Sequence, residues 1–475
     1  MKYFADIHIH PTMKSYGHSF PSKENSQNPL SNSSIWYYDP PNLFEKLIDL
    51  LGGIVKYRQS NFSAMGFGNT GIVFASLYPM ERSFFDNKLK TGDFNDMLLN
   101  FITSVGKNRI DYIQSITDYF IDLENEYHYL KQLDGKIVTL ADRANYQYTL
   151  AKNATHLDAI LNQDAINDKK VSSIAVFITI EGAHAFGTGI KPKTNPADPK
   201  QVLTNVDKVK NWEHRPVFIT LTHHFYNELC GHAKSLTGIV KKATDQSHGM
   251  NEGFTQLGLS VVEKLLDNSN NKRILIDIKH MSRKSRLEYF HLLETKYKNE
   301  EIPIIVSHGA VIGNEKDKHL FLQEDINFYD DEIIKIAETN GLFGIQLDER
   351  RIVAAGDAEL KKSHRLERRK VLFHSSVLIW RQIQHIAELL DSKGLFAWGI
   401  QSLGSDFDGM INPLNGYWTV ENYPTLSDYL LIQAHNYRKD FPSNLTQNHN
   451  RIDPEEIVDR IMGINTYQFV QKNYH

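Results

Sequence analysis

Histidine and carboxylate residues with the chemistry of metal ligands end a series of short apolar runs in this chain. The first two are His8 and His10 in FADIHIH. Residues two apart on a strand project from the same face, so both imidazoles can bind one ion. An HxH pair is common by itself, but the pattern recurs. Further apolar runs end in Glu181, His223, His280, His308 and Asp406. Imidazoles combined with carboxylates predict a centre for divalent metal ions, zinc above all, of the kind that catalyses hydrolysis.

Eight apolar runs must position these residues. They are rich in Ile, Val, Leu and Phe and are separated by segments with helical periodicity, which is typical of parallel strands buried on both faces. Their approximate bounds are 3–10, 70–79, 172–181, 216–223, 273–280, 302–308, 341–348 and 396–405. Eight such strands predict an α/β fold, the (β/α)8 or TIM barrel, whose chemistry lies at the C-terminal ends of the strands. Because the candidate ligands end strands one, three, four, five, six and eight, we predict a binuclear metal hydrolase.

The length of the chain accommodates one such barrel with additions. Its 475 residues are 41% hydrophobic and 23% charged, which suffices for a large core. We predict a single catalytic domain over 1–475. It contains a helical insertion at 82–171, between strands two and three, that is longer than a crossover helix requires. The insertion either packs extra helices over one flank or forms an oligomer contact, so a homo-oligomer stays open.

Charge and cysteine content exclude several classes of protein. A formal net charge of −4 offers no basic footprint for nucleic acid. Cys230 is the only cysteine, which excludes an intrachain disulfide framework and suits a reducing compartment. The first strand begins within a few residues of Met1, which leaves no room for a signal peptide, and no apolar stretch reaches the ~20 residues of a membrane span. We therefore expect a cytoplasmic protein with a small-molecule substrate and with neither nucleic-acid nor membrane partners.

Longer motifs resemble peptidase family M19, the membrane (renal) dipeptidase-like branch of the metal-dependent amidohydrolase superfamily. The resemblance spans nearly the whole chain and includes MGFGNTGIVFASLYP, IEGAH, LTHHFYN, IIVSHGA and RIMGINTYQFV. The motifs IDIKHMS and GSDFDG, in this order, are its most specific part. It implies a TIM barrel with two zinc ions that hydrolyses an amide bond, most often in a dipeptide, by means of a metal-bridging hydroxide.

The resemblance also implies a role for each site residue. The metal ligands would be His8 and His10 on the first ion, Glu181 bridging both ions, and His280 and His308 on the second. Asp406 resembles the aspartate that handles the proton of the bridging hydroxide, a general acid–base role that its carboxylate can perform. His223 resembles the histidine that steadies the substrate carbonyl or its tetrahedral adduct. Other branches of the superfamily use a carbamylated lysine as the bridge, but Lys279 neighbours His280 and should point to the opposite face.

The chain departs from the family pattern in two places. The family usually has HxD on strand one, so His10 removes one negative charge from the first metal site and leaves the metal identity open. The family also has an arginine before an asparagine in the loop after strand six, where it binds the dipeptide carboxylate. Here Ile326 precedes Asn327, and that bidentate fork is missing. The candidate replacements are Lys316, Lys318, Arg350 and Arg351; alternatively, the substrate lacks a terminal carboxylate.

Two alternatives to a metal-dependent amide hydrolase or dipeptidase remain from the sequence. A phosphoesterase of the PHP type also opens with a sequence like DIHIH, but it needs a different ligand set, and GSDFDG argues against it. The other alternative is a metal-binding barrel without turnover that acts as a binding module through the insertion at 82–171. The presence of Asp406 and His223 disfavours this reading, because both residues serve catalysis in the family. We predict hydrolysis of a dipeptide or a related small acylated amine.

Overall fold

Parallel strands form the inner wall of the molecule. The computed structural model describes residues 3–20, 25–85, 100, 103–162, 171–365 and 367–475. Its strands are β1 (Phe4–Ile9), β2 (Thr70–Leu77), β3 (Val138–Thr139), β4 (Asn145–Leu150), β5 (Val171–Glu181), β6 (Phe218–Thr220), β7 (Leu275–Asp277), β8 (Ile305–Gly309), β9 (Leu342–Ile345) and β10 (Gln401–Leu403). The order around the sheet is β1-β2-β5-β6-β7-β8-β9-β10, with parallel pairing. The ring closes where Ile9 bridges Phe407 and the amide of His10 donates to the Phe407 carbonyl at 2.9 Å. The predicted TIM barrel is confirmed.

The strands are apolar along their whole length because both of their faces are covered. All eight residues of β2, TGIVFASL, are buried. One face packs in the barrel interior and the other packs against helices, so β-branched and aromatic residues suit every position. Several strands are shorter than predicted: β6, β7 and β10 have three residues each. The chain leaves the ladder early because it turns into the loops that carry the site, where His280 and Asp406 adopt left-handed φ angles of 65° and 64°.

Helices surround the barrel. Their bounds are Met13–His18, Leu43–Gly52, Phe62–Phe67, Lys107–Ser115, Tyr119–Lys131, Ala154–Asn162, Pro199–Lys210, Gly238–Ala243, Gln256–Leu266, Arg283–Thr295, Asp330–Glu338, Glu349–Ile352, Ala358–Ser363, Arg368–Ser392, Tyr423–Asp440, Pro454–Asp459 and Asn465–Asn473. Side-chain caps stabilise the first turns of several helices; for example, the side chain of Ser282 accepts a hydrogen bond from the backbone amide of Ser285. No helix in the described ranges is long and apolar enough to cross a membrane.

The segment predicted as a helical insertion, 82–171, contains both helices and strands. Three of the helices above fall within it, and one of them is Tyr119–Lys131. Strand β3 pairs antiparallel with β4, and β4 extends the sheet by pairing parallel with β5. These two strands were not predicted; the alternating burial of NYQYTL in β4 is the strand signal that the polar surroundings obscure. Residues 86–99, 101–102 and 163–170 of the segment lie outside the described residues.

Candidate metal centre

Six strand ends bring the predicted site residues to one mouth of the barrel. Their positions are Glu181 at the end of β5, His8 in β1 with His10 directly after it, His308 in β8, and His223, His280 and Asp406 three residues beyond β6, β7 and β10. None of them is more than 7% exposed. Parallel strands direct their C-terminal ends to the same rim, so residues far apart in the sequence meet there.

Glu181 lies at the centre of four imidazole rings. Its Oε2 is 3.1 Å from Nε2 of His10, and its Oε1 is 3.5 Å from Nε2 of His8. On the other side, Oε1 is 3.4 Å from Nε2 of His280 and 3.7 Å from Nε2 of His308. The Nε2 atoms of His8 and His10 are 3.2 Å apart, and those of His280 and His308 are 3.3 Å apart. One carboxylate therefore joins two pairs of histidines.

These separations fit ligands that share a cation. Two ligand atoms that each lie ~2.0–2.1 Å from a tetrahedral zinc ion are roughly 3.3–3.4 Å apart. Oε1 of Glu181 makes no hydrogen bond within the described residues, although it is buried. A buried carboxylate oxygen in this state needs a partner, and a metal ion can be that partner. The ligand atoms of His8, His10 and Glu181, and those of Glu181, His280 and His308, lie within 4.8 Å of one another in each group. The residues present fit divalent cations.

The electrostatics of the cluster agree with metal binding. Burial alone would raise the pKa of Glu181, but the surrounding histidines hold it well below its usual value, so the carboxylate is ionised. Burial keeps the pKa values of His280 and His308 well below normal, with repulsion from neighbouring histidines in the same direction. Burial also opposes the charge on His10, but Asp406 and Glu181 outweigh it and raise its pKa to about 10. Because imidazole binds a metal in its neutral form, an ion would replace the proton of His10.

Asp406 supplies a second carboxylate beside the same histidines. Its Oδ1 is 3.5 Å from Nε2 of His10 and 3.8 Å from Nε2 of His8. Its Oδ2 accepts a hydrogen bond of 2.9 Å from Nε2 of Gln346, which follows β9. The sequence does not predict Gln346, since a single amide at a strand end carries no motif. Gln346 binds Oδ2 of Asp406, and Oδ1 faces the pair formed by His8 and His10.

His223 faces the cluster from the loop after β6. Its Nε2 is 3.6 Å from Oε1 of Glu181, and its Nδ1 is 2.7 Å from Oε2 of Glu81. Burial would lower the pKa of His223, but the negative charges of Glu181 and Glu81 outweigh it, so this pKa is raised. Burial would raise the pKa of Glu81, but His223 outweighs it, so this pKa is lowered. The two side chains therefore form a buried ion pair. The sequence does not predict Glu81, whose only signal in LYPMERS is its position just beyond β2.

The predicted cationic residues after β9 differ in their surroundings. Arg350 donates from Nε and Nη2 to the carboxylate of Asp348 at 2.9 and 2.8 Å. Arg351 is buried, and its Nη2 donates to the carbonyl of Ser235, whose hydroxyl bonds Nδ1 of His224 at 2.6 Å. Nη1 of Arg351 is buried and makes no hydrogen bond within the described residues. Arg351 therefore offers an unused donor beside the histidine cluster.

The position of the missing family arginine borders Arg351. The carbonyl of Ile326 is 3.5 Å from Nζ of Lys279, and Asn327 donates to the carbonyl of Arg351 at 2.8 Å. Burial, with a contribution from Arg351, lowers the pKa of Lys279 to about 7. The two lysines suggested as replacements are exposed, and they are Lys316 and Lys318. The structure therefore places two buried guanidinium groups next to Ile326. One is that of Arg351, from the helix Glu349–Ile352, and the other is that of Arg286, which is committed to the carbonyls of Asn327 and Asp325 at 3.1 and 2.9 Å.

The remaining polar residues near the rim mainly hold loops. His184 donates from Nε2 to the carbonyl of Pro79 at 2.7 Å. The carboxylate of Asp408 accepts hydrogen bonds from the backbone amides of Gln59 and Ser60 at 3.0 and 2.8 Å. Asp6 accepts a hydrogen bond from the backbone amide of His8 at 2.9 Å. Two further groups of possible ligands are formed by His223, His224 and His280 and by His8, His308 and Asp406.

The chain is similar to a known protein family and to several solved structures. The model of the family described as membrane dipeptidase, peptidase family M19, matches residues 59–455. A solved structure of the dipeptidase AC, a metallo peptidase of family M19, has a TM-score of 0.52 at 13% identity; the match covers 99% of this chain and 98% of that chain. A metallo peptidase from Rhodobacter sphaeroides, liganded with a phosphinate mimic of the dipeptide L-Ala-D-Ala, has a TM-score of 0.51 at 13% identity, with 99% of both chains covered. The probable dipeptidase PvdM from Pseudomonas aeruginosa has a TM-score of 0.50 at 13% identity and covers 88% of this chain and 90% of its own. No curated protein matches the sequence. At this identity the structural likeness shows a shared fold.

Proposed function

Because the chain belongs to the membrane dipeptidase family, peptidase family M19, and is thus a metal-dependent hydrolase, we propose that it cleaves dipeptides with two zinc ions. The observation that carries this proposal is the pair of ligand groups that share Glu181. His8 and His10 would complete the first metal site. His280 and His308 would complete the second. A ligand set dominated by imidazole favours zinc among the common divalent ions.

The metal ions would activate the water and the substrate carbonyl, and the carboxylate of Asp406 would transfer the proton. When bound, two zinc ions lower the pKa of a shared water to about 7 and polarise the carbonyl of the scissile amide. Asp406 accepts the proton of the attacking water on Oδ1, the oxygen that faces His8 and His10. It then returns this proton to the nitrogen of the leaving amine. Gln346 keeps the carboxylate in place through Oδ2 during both transfers.

His223 donates a hydrogen bond to the carbonyl oxygen of the substrate. Its Nδ1 is committed to Glu81, so Nε2 is the ring nitrogen that faces the cluster. A protonated Nε2 donates a hydrogen bond to the carbonyl oxygen as that oxygen gains negative charge in the tetrahedral adduct. Donors placed in advance at this position stabilise the transition state more than the substrate.

Arg351 is our candidate for binding the free carboxylate of the dipeptide. Its unused Nη1 is buried beside the cluster, and its backbone is bonded to Asn327, the residue that follows the position of the family arginine. Arg350 precedes Arg351 in the chain, but two of its donors are committed to Asp348. We therefore assign the carboxylate to Arg351 and the loop conformation to Arg350. An arginine suits this role because its fork matches a carboxylate.

The substrate class can be tested with a panel of dipeptides. The panel contains L- and D-configured C-terminal residues and the matching C-terminal amides, and mass spectrometry measures the amine released by zinc-loaded protein. We expect the free dipeptides to react about tenfold faster or more, because the amides lose a charge-assisted hydrogen bond. Equal rates on both series would contradict the carboxylate site. An absence of cleavage throughout the panel would contradict dipeptidase activity.

Replacing Arg351 by Leu tests the carboxylate site directly. For free dipeptides we expect KM to rise about 10- to 100-fold, because hydrogen bonds to a charged group stabilise by roughly 1.5–3 kcal/mol. The C-terminal amides should react at the wild-type rate. The control is Lys316→Leu, which removes an exposed positive charge from the loop after β8 and should leave KM unchanged. An equal loss on dipeptides and amides would assign Arg351 to folding rather than to substrate binding.

A further inference from the structure

We infer that Glu81 is a positioning residue for hydrolysis, which fixes the ring of His223 so that Nε2 faces the substrate carbonyl. This inference rests on the proposed function, because it assigns His223 a reaction to serve. Glu81 lies four residues beyond the last residue of β2, and His223 lies three residues beyond the last residue of β6. The contact therefore joins two loops at the mouth of the barrel.

Both carboxylate oxygens of Glu81 accept hydrogen bonds from His223 and the residues around it. Its Oε2 accepts from Nδ1 of His223 at 2.7 Å and from the hydroxyl of Tyr78 at 3.2 Å. The backbone amide of His224 lies 3.4 Å from the same oxygen, and Oε1 accepts the amide of Phe225 at 3.0 Å. Glu81 is only 4% exposed. One buried side chain thus binds both the imidazole and the two backbone amides that follow it.

This bonding decides which ring nitrogen meets the substrate. An ionised carboxylate only accepts hydrogen bonds, so Nδ1 of His223 must carry a proton. Nε2 is then the nitrogen directed at the cluster, 3.6 Å from Oε1 of Glu181. The same arrangement orients histidines in metal sites, where a carboxylate on one ring nitrogen fixes the direction of the other. Loss of Glu81 would leave a buried donor without its acceptor.

Packing restricts the ring of His223 to few orientations. The ring of Tyr78 lies edge-on at a centroid distance of 4.8 Å, and the ring of His280 lies edge-on at 4.5 Å. These contacts restrict the plane of the imidazole, but they do not distinguish its two nitrogens from each other. The distinction between Nδ1 and Nε2 therefore rests on Glu81.

Replacing Glu81 by Gln tests this role while keeping the shape of the side chain. We expect kcat to fall roughly 10- to 100-fold, the range for residues that orient a catalytic or metal-bound histidine. KM should stay within about threefold of the wild type, because the ground-state contacts remain. Zinc content should be unchanged. A phosphinate analogue of a dipeptide mimics the tetrahedral adduct, so its affinity should fall by the same factor as kcat/KM.

A double-mutant cycle separates positioning from general support of the loop. If Glu81 acts through His223, E81Q should have almost no further effect in a His223→Gln background. Multiplicative effects of the two substitutions would overturn the inference. The control is Asp330→Asn, which breaks another histidine–carboxylate contact, the partly buried one of His385 Nε2 with Asp330 at 2.7 Å, outside the centre. This variant should keep the wild-type kcat.

A spectroscopic measurement keeps the inference testable without turnover. In protein labelled with ¹⁵N-histidine, the Nδ1 proton of His223 should give a far-downfield proton signal that is absent in H223Q. The signal should move upfield in E81Q, because a neutral acceptor forms a weaker hydrogen bond. If the signal is absent from the wild type, the inference fails. If the wild type shows the signal but cleaves no dipeptide, the proposed function fails while the Glu81–His223 geometry stands.

Discussion

The Glu181→Gln variant is expected to lose both its metal ions and its activity. The zinc content should fall from about two ions per chain to less than one, and kcat/KM should fall about 10,000-fold or more, since metal assistance contributes several kcal/mol. The reason is the position of Glu181 between the two histidine pairs, with Oε2 near His10 and Oε1 near His280. Glutamine keeps the volume of the side chain but removes the negative charge and one of the two acceptor oxygens.

The zinc content of E181Q can be measured by inductively coupled plasma mass spectrometry, with dipeptide hydrolysis as the second measurement. A matched control is Glu332→Gln, since Glu332 is also fully buried but pairs with Arg283 and Arg286 outside the centre. This control should keep its zinc even if it is less stable. If E181Q retains both ions and most of its activity, the bridging role of Glu181 is wrong.

The ligand candidates are predictable from the sequence because two simple rules place them. A strand of period two sets His8 and His10 on one face, and a parallel barrel brings all C-terminal strand ends to one rim. No knowledge of long-range contacts is required for either rule. The observed cluster around Glu181 follows from these rules and from the order of the strands.

Residues that contact the proposed catalytic groups cannot be predicted from the sequence. Glu81 and His223 are 142 positions apart, and Gln346 and Asp406 are 60 apart. Each contact joins two loops whose paths depend on the packing of the whole barrel. No local pattern surrounds Glu81 or Gln346, so only the folded chain shows that they face the site.

The choice among the cations after β8 and β9 also depends on the folded chain. Burial decides it: Lys316 and Lys318 are exposed, whereas Arg351 is buried with an unused donor. All of them look alike in the sequence as positive charges on loops near the rim. Strand β4 is a similar case, because its six residues become a strand by pairing with β3 and β5.

Asp406→Asn is expected to separate proton transfer from metal binding. Asparagine cannot take up the proton of the attacking water, so kcat should fall about 1,000-fold, within the range for a general acid–base group. KM and zinc content should change little, because the ligand groups around Glu181 stay intact. The backbone should tolerate the change, since Asp406 has a φ of 64° and Asn is among the residues that adopt this conformation most readily.

Asp408→Asn is the matched control, because Asp408 lies in the same loop with a φ of 67°. Its carboxylate binds the amides of Gln59 and Ser60 and lies 3.2 Å from Nζ of Lys14. The loss of that charge should lower Tm, while kcat stays near the wild-type value. Kinetics and zinc content measured on both variants distinguish the two roles. An equal fall of kcat in both variants would point to a disturbed loop, whereas normal turnover in D406N would show that another group carries the proton.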